Sequence, residues 1–146
     1  MSDIKDTLYA YAAGIIDGEG SIGLNRITGD NRRARYTMRV TIGITDPGLP
    51  LFFQEFFGGS VWVAKHTNPK HKDTWFWSLR AKKAVPFLVG ILPYLRIKRP
   101  QAELALRWQS RKHPRYTILT DHEMALEEAD RILMLSYNKR GKEETK

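Results

Sequence analysis

Residues 37–44 alternate without a break. Met38, Val40, Ile42 and Ile44 are apolar, and Thr37, Arg39, Thr41 and Gly43 between them are polar or small. Side chains on a strand point to opposite faces with a period of two. This strand therefore has one face suited to a core and one suited to solvent or a ligand. The fold must cover one side of a sheet and leave the other open, as antiparallel sheets commonly do.

The flanking segments supply the rest of such a sheet. Residues 21–28 read as a strand with Ile22 and Leu24 on one face and Gly23 and Asn25 on the other. Thr28-Gly29-Asp30-Asn31 is a turn signal joining it to the alternating strand. A second hairpin is predicted from residues 61–65 and 74–79; Trp75 and Trp77 alternate with Phe76 and Ser78, which leaves its facing open, and the favoured choice puts Trp77 in the core and Ser78 and Arg80 toward a ligand. Helices are predicted over residues 8–16, 49–57, 81–92, 102–109 and 121–137. Gly18 suits a left-handed closure of the first, and Asp46-Pro47 suits the start of the second. Phe52, Phe53 and Phe56 are expected on the core side of that second helix. The resulting class is α+β: a four-stranded antiparallel sheet with helices on one face. Residues 1–137 are expected to form one domain, and 138–146 a charged, frayed tail.

Charge points to the partner of the open face. The 146 residues carry 24 Lys and Arg against 16 Asp and Glu, a net charge of +8, which favours a polyanion. Arg26, Arg32, Arg33, Arg35 and Arg39 crowd the first hairpin, where Asp30 is the only acid. Lys65, His66, Lys70, His71, Lys72 and Arg80 belong to the second. A sheet face lined with Arg, Thr, Asn and Ser can enter a DNA major groove, with loop cations on phosphates. The competing reading is a solvated hairpin whose charges protect a sheet edge. Base contacts are expected from Asn25, Arg35, Thr37, Arg39, Thr41, Trp62, His66, Ser78 and Arg80, and backbone contacts from Arg26, Arg32, Arg33, Lys70 and Lys72. Asp121, Glu123, Glu127, Glu128 and Asp130 make the last helix acidic, so it is expected to face away from phosphates.

Other classes are narrowed. There is no cysteine, which excludes disulfides and zinc–thiolate sites and fits an intracellular protein. The four histidines lack metal-ligand spacing. No signal peptide is visible, and residues 84–95, the longest uncharged apolar run, are too short to span a bilayer and contain Pro86 and Pro93. A soluble intracellular protein with no membrane partner is expected, its compartment open.

One segment stands apart from this basic background. Ala12-Ala13-Gly14-Ile15-Ile16-Asp17-Gly18-Glu19-Gly20 runs a small-residue helix into two acids. Acids at a helix C-terminus meet the unfavourable end of its dipole. A bound divalent cation is one compensation, and a turn that aims the carboxylates off the axis is another.

The segment resembles the motif of the LAGLIDADG homing endonucleases, continued by Ser21-Ile22. Ala12, Gly18 and Glu19 depart from the name, and Glu19 keeps a carboxylate. Ile42-Gly43-Ile44-Thr45-Asp46-Pro47 resembles the end of that family's second strand. Leu92-Pro93-Tyr94-Leu95-Arg96-Ile97-Lys98-Arg99 resembles its segment bearing a basic active-site residue. The resemblance implies an αββαββα fold and cleavage of a long pseudo-palindromic duplex. The single motif implies a homodimer, with Ala12, Ala13, Gly14 and Asp17 at the interface. It further implies Glu19 and the Gly20 carbonyl as ligands of Mg²⁺, or of Mn²⁺ or Ca²⁺ in the same site. Lys98 is implied as a catalytic cation. Asp46 is implied either as a water-ordering residue or as a helix cap, and Asp17 mainly as a support of the turn. Alternatives on the same fold are an RNA-binding maturase, with intron RNA as partner, and a non-cleaving DNA-binding protein.

Overall fold

The computed structural model describes residues 2–27, 35–112 and 118–139. The alternating segment is an inner strand of the sheet, paired on both sides. Helix α1 (Ser2–Glu19) leads into β1 (Gly20–Ile27), which pairs antiparallel with β2 (Arg35–Ile44). Helix α2 (Gly48–Phe57) leads into a second hairpin, β3 (Ser60–Ala64) and β4 (Thr74–Arg80). Helices α3 (Val85–Ile91), α4 (Arg99–Ser110) and α5 (Asp121–Asn138) follow, with 3-10 turns at Ala81–Ala84 and Leu92–Tyr94. The four strands form one antiparallel sheet in the order β1-β2-β4-β3, so the class is the expected α+β.

Register explains the two faces. Ile22 stands opposite Val40, Val40 opposite Leu79, and Ile42 opposite Trp77. All are buried, with Leu24, Tyr36 and Met38, against the helix layer. Trp77 anchors this side as predicted. Its ring meets Phe53 edge-on at 4.9 Å and Phe87 at 5.2 Å, and its Nε1 donates to the Gly58 carbonyl at 2.6 Å. That carbonyl is available because α2 ends in a left-handed pair, Gly58 at φ 76° and Gly59 at φ 97°. A Cβ on Gly59 would lie 2.5 Å from the Ser78 carbonyl, so the close approach requires glycine.

Several boundaries differ from the sequence reading. Helix α1 is longer at both ends and is not closed by a left-handed Gly18; Gly18 remains helical. The reversal falls at Gly20, where a Cβ would meet the Ile16 side chain and backbone at 2.8–2.9 Å. The predicted helix over 81–92 is broken into a 3-10 turn and α3. Pro86 has no amide to donate, and it sits in the first turn of α3, where none is needed. In α2 Pro50 and Phe53 are buried, Phe52 and Phe57 pack partly buried against the core, and Phe56, expected there, is half exposed. Asn138 is not tail: it ends α5, and its Nδ2 donates to the Ile22 carbonyl at 2.9 Å. The turn at 28–31 and the tail from 140 lie outside the described residues.

Candidate nucleic-acid interface and catalytic site

The open face follows from the same registers. On β1 and β2 it carries Ser21, Asn25, Arg35, Thr37, Arg39 and Thr41. On β3 and β4 it carries Ser60, Trp62, Thr74, Phe76, Ser78 and Arg80. Among the described residues of this face there is no Asp or Glu. Arg39 stands directly opposite Arg80. Burial, and then the Arg80 charge, lower the Arg39 pKa from its ordinary value, though a guanidinium remains charged. Arg39 Nε is buried without a hydrogen-bond partner. Two adjacent guanidiniums with no acid between them suit an anion rather than fold stability.

The expected DNA-contact residues divide by position. Asn25, Arg35, Thr37, Arg39, Thr41, Trp62 and Arg80 share the open face. Ser78 shares it too but is only 4% exposed, so its neighbours cover it. Arg26 does not: it stands opposite Tyr36, on the helix side of β1. A strand residue one place from Asn25 must take the other face. His66 lies beyond β3, with its Nε2 3.2 Å from Thr74 Oγ1 and its amide on Asp73. Lys70 and Lys72 are exposed on the same connection. Arg32 and Arg33 lie outside the described residues.

Phe76 was not singled out from sequence. Its ring stacks on Trp62 at 5.3 Å and 17°. The opposing Gly43 leaves room for it, since a Cβ there would come within 2.7 Å of the ring. A glycine interrupting the polar face of a well-alternating strand was the available signal. The last helix also departs from expectation. Two of its acids are engaged within the chain: Glu128 accepts from Tyr36 and pairs with Arg131, and Asp130 pairs with Arg111. Arg131, Leu135 and Asn138 instead wall an open groove beside Asn25, Arg39 and Trp62. Acid count alone could not give the helix's rotation.

The two motif acids have separate environments. Asp17 is 9% exposed, and its carboxylate accepts the amides of Arg96, Ile97 and Lys98 at 2.9–3.1 Å. Those amides lead into α4. The acid at the unfavourable end of α1 therefore lies at the favourable end of another helix. Lys98, 5% exposed, donates from Nζ to the Asp17 carbonyl at 2.9 Å, supplying a cation to the α1 C-terminus. Glu19 ends α1 and is exposed. The next residue, Gly20, pairs with Ile42 near the end of β2. Asp46 follows that end, and its Oδ1 accepts the Gly48 amide at 2.8 Å, the capping arrangement at the start of α2. Glu19, Gly20, Lys98 and Asp46 thus gather at one end of the sheet.

The expected interface residues need correction. Ala12 and Ala13 are fully buried in this chain's own core, and Asp17 is committed to the turn before α4. The exposed small residues of α1 are Ala10, Gly14 and Gly18, at helical spacing of four. A partner helix could approach on that stripe, where Cβ atoms on Gly14 and Gly18 would meet nothing within 4 Å.

Among the described residues no group of three His, Cys, Asp or Glu side chains could hold a metal ion. Mg²⁺ binds hard oxygen donors and keeps several waters, so an all-protein cage is not required. The Glu19 carboxylate and the adjacent Gly20 carbonyl are donors of that kind. One chain offers half of the paired arrangement that the motif resemblance implies.

The architecture and this gathering of residues define a class: a helix-backed sheet with an open cationic face and an acidic helix end beside it. No protein-family model matches the chain, and no curated protein matches it. Solved structures do. The homing endonuclease I-CvuI, in complex with the I-CreI target in 2 mM Mg with DNA not cleaved, gives a TM-score of 0.73 at 23% identity. That match covers 94% of this chain and 86% of the other. The archaeal intron-encoded homing endonuclease I-Vdi141I, complexed with DNA, gives 0.73 at 16% identity over 97% and 88%. The LAGLIDADG meganuclease I-CpaMI, bound to uncleaved DNA, gives 0.56 at 18% over 70% of this chain and 35% of that one. The chain has the LAGLIDADG homing-endonuclease fold. Among the described residues no helix is long and apolar enough to cross a membrane.

Proposed function

We propose that the chain is a site-specific, metal-dependent double-strand DNA endonuclease that acts as a homodimer. The observation that carries this reading is the acid-free cationic sheet face beside an exposed carboxylate, Glu19, at the end of α1. The kinship of fold with endonucleases solved on DNA supports it. Arg39, Arg80, Thr37, Thr41 and Asn25 face the major groove, and Lys70 and Lys72 take phosphates. Two copies would double the length of duplex read and make the target a rough palindrome.

Glu19 and the Gly20 carbonyl would hold the metal, joined by the partner's equivalents. A divalent cation held there would supply Lewis acidity for water activation and charge compensation at the phosphate. Lys98 holds the end of α1 through the Asp17 carbonyl, and its charge favours the anionic transition state. Asp17 fixes the turn that keeps Lys98 in place. Asp46 serves as a helix cap.

The test is selection of cleaved sequences from a randomised duplex library in Mg²⁺, comparing wild type with Glu19→Gln. Wild type should enrich one near-palindromic site, and removing the metal should stop cleavage. Glu19→Gln should bind that site with little loss and leave it intact. Undiminished cleavage by the variant sinks the metal assignment. A monomer on DNA by sedimentation sinks the paired site.

A further inference from the structure

The open face is mainly polar, with Ile27 and Ala64 as isolated apolar positions near strand ends, and it carries one pair of aromatic rings. Trp62 and Phe76, directly opposite each other on β3 and β4, stack near-parallel at 5.3 Å. The pair is held from two sides. Gly43 leaves the space that the Phe76 ring occupies, and the Arg39 guanidinium lies 5.2 Å from the Trp62 ring centre. Trp62 remains 37% exposed, so part of the pair is open to a ligand. It also lines the groove shared with Asn25, Arg39 and Thr41. A fold that needed these rings only for packing would have them on the covered face with Trp77. Here they form a fixed apolar slab among hydrogen-bonding side chains.

The major groove presents one apolar group at its base edges, the methyl on C5 of thymine; other groups there are donors or acceptors. We propose that the Trp62–Phe76 slab recognises the C5-methyl group of a pyrimidine, next to the base pair contacted by Arg39. This rests on the reading of the open face as a DNA-binding surface, and it deepens that reading by naming what part of the target the slab selects. The Arg39 contact with Trp62 gives the two recognitions a common frame: the cation that donates to one base is oriented by the ring that touches its neighbour. Thymine is the source of this methyl in unmodified DNA, and 5-methylcytosine carries the same group. An unpaired base stacked on Trp62 is the less favoured ligand, because Phe76 already stacks on that ring and Arg39 lies over it.

The experiment measures binding without divalent metal, using the tightest duplex selected by the wild-type protein from a randomised library. Each thymine is replaced in turn by deoxyuridine, and each cytosine by 5-methylcytosine. Losing one buried methyl should weaken binding about fourfold at one or two positions in each half of the site. Trp62→Ser should remove that penalty, and Trp62→Phe should keep it. If the penalty falls at no thymine and 5-methylcytosine strengthens binding instead, the recognition stands with the modified base as its source. If no replacement changes binding to a duplex that is still selected by sequence, the slab does not read a methyl and DNA recognition survives. A penalty that persists unchanged in Trp62→Ser assigns the methyl to another residue and overturns the proposal. Tighter binding to the unpaired strands overturns it in favour of base stacking. Failure to select any sequence overturns the DNA-reading function itself, and the slab's role with it.

Discussion

On the covered face of the sheet, Ile42 stands opposite Trp77, both are buried, and the Trp77 indole N–H is satisfied. On the open face of the same two strands, Arg39 stands opposite Arg80 with no acid beside them. The backbone pairing is the same in both cases. What differs is whether the side chains complete each other. Trp77 finds Phe53, Phe87 and the Gly58 carbonyl within this chain. Arg39 finds only a ring beneath it and leaves a buried Nε without a hydrogen bond. A pairing that lacks its counter-charge is informative, because folding alone does not favour it. The first face answers to stability and the second to a partner. Substitutions on the two should therefore separate cleanly into different measurements.

The largest expected effect is on the covered face. Trp77→Ala removes the ring shared by Phe53 and Phe87 and leaves the Gly58 carbonyl without its donor. A loss of ~3–5 kcal/mol in unfolding free energy is expected from an aromatic deletion of this kind. Denaturant unfolding measures it. A loss below about 1 kcal/mol would mean that the core does not close around this residue and would blur the distinction between faces. Next comes Asp17→Asn, at the helix end that joins the covered layer to the site. An amide keeps one acceptor oxygen but turns an N–H toward amides that now point at the carboxylate. About 1.5–3 kcal/mol of stability should be lost, the range for hydrogen bonds to a charged group. Cleavage should also fall, since Lys98 is seated by the same turn. Wild-type stability in this variant would remove the turn-supporting role.

The faces differ in how legible they are. Alternation in residues 37–44 is a local signal, and burial of one side follows from it directly. In β4 the same logic leaves the facing open, because Trp75, Phe76 and Trp77 are all apolar, and the pairing with β2 is what puts Trp77 inside and Arg80 outside. Other features depend on where separate segments meet. Asp17 and the amides of Arg96, Ile97 and Lys98 are some eighty residues apart, and nothing near Asp17 announces them. The motif resemblance implies Ala12 and Ala13, with Gly14, at an interface, but small residues serve a close approach on either side of a helix. Only the position of α1 on its own core shows that the exposed stripe is Ala10, Gly14 and Gly18. Arg26 was grouped with its basic neighbours by composition, although strand period alone puts it opposite Arg39 in facing. The rotation of α5 was hidden for a similar reason. Glu128 and Asp130 have partners on β2 and just past the end of α4, and sequence could not say that Tyr36 and Arg111 would receive them.

Smaller effects sharpen the open face. Arg39→Ala should leave unfolding free energy within about 0.5 kcal/mol of wild type, the usual range away from packed features. It relieves an uncompensated charge as it removes the contact with Trp62. Its cost should appear in recognition, as ~1–3 kcal/mol of discrimination lost at one base pair per half-site. Competition among single-base variants of the selected duplex measures this. A uniform loss at every variant would move Arg39 from base recognition to backbone contact, and a large stability loss would place it with the covered face.

The smallest effect concerns the exposed connection between β3 and β4. Lys72→Ala removes a charge with no packed neighbour, so stability and base preference should both be unchanged. If Lys72 meets a phosphate, the slope of log affinity against log salt should fall by about one per chain. An affinity loss of the same size at all salt concentrations would show a contact that releases no counterion. A change confined to particular bases would extend direct readout from the sheet into the loop. Either result would redraw the boundary between the part of the open side that selects sequence and the part that only holds the duplex.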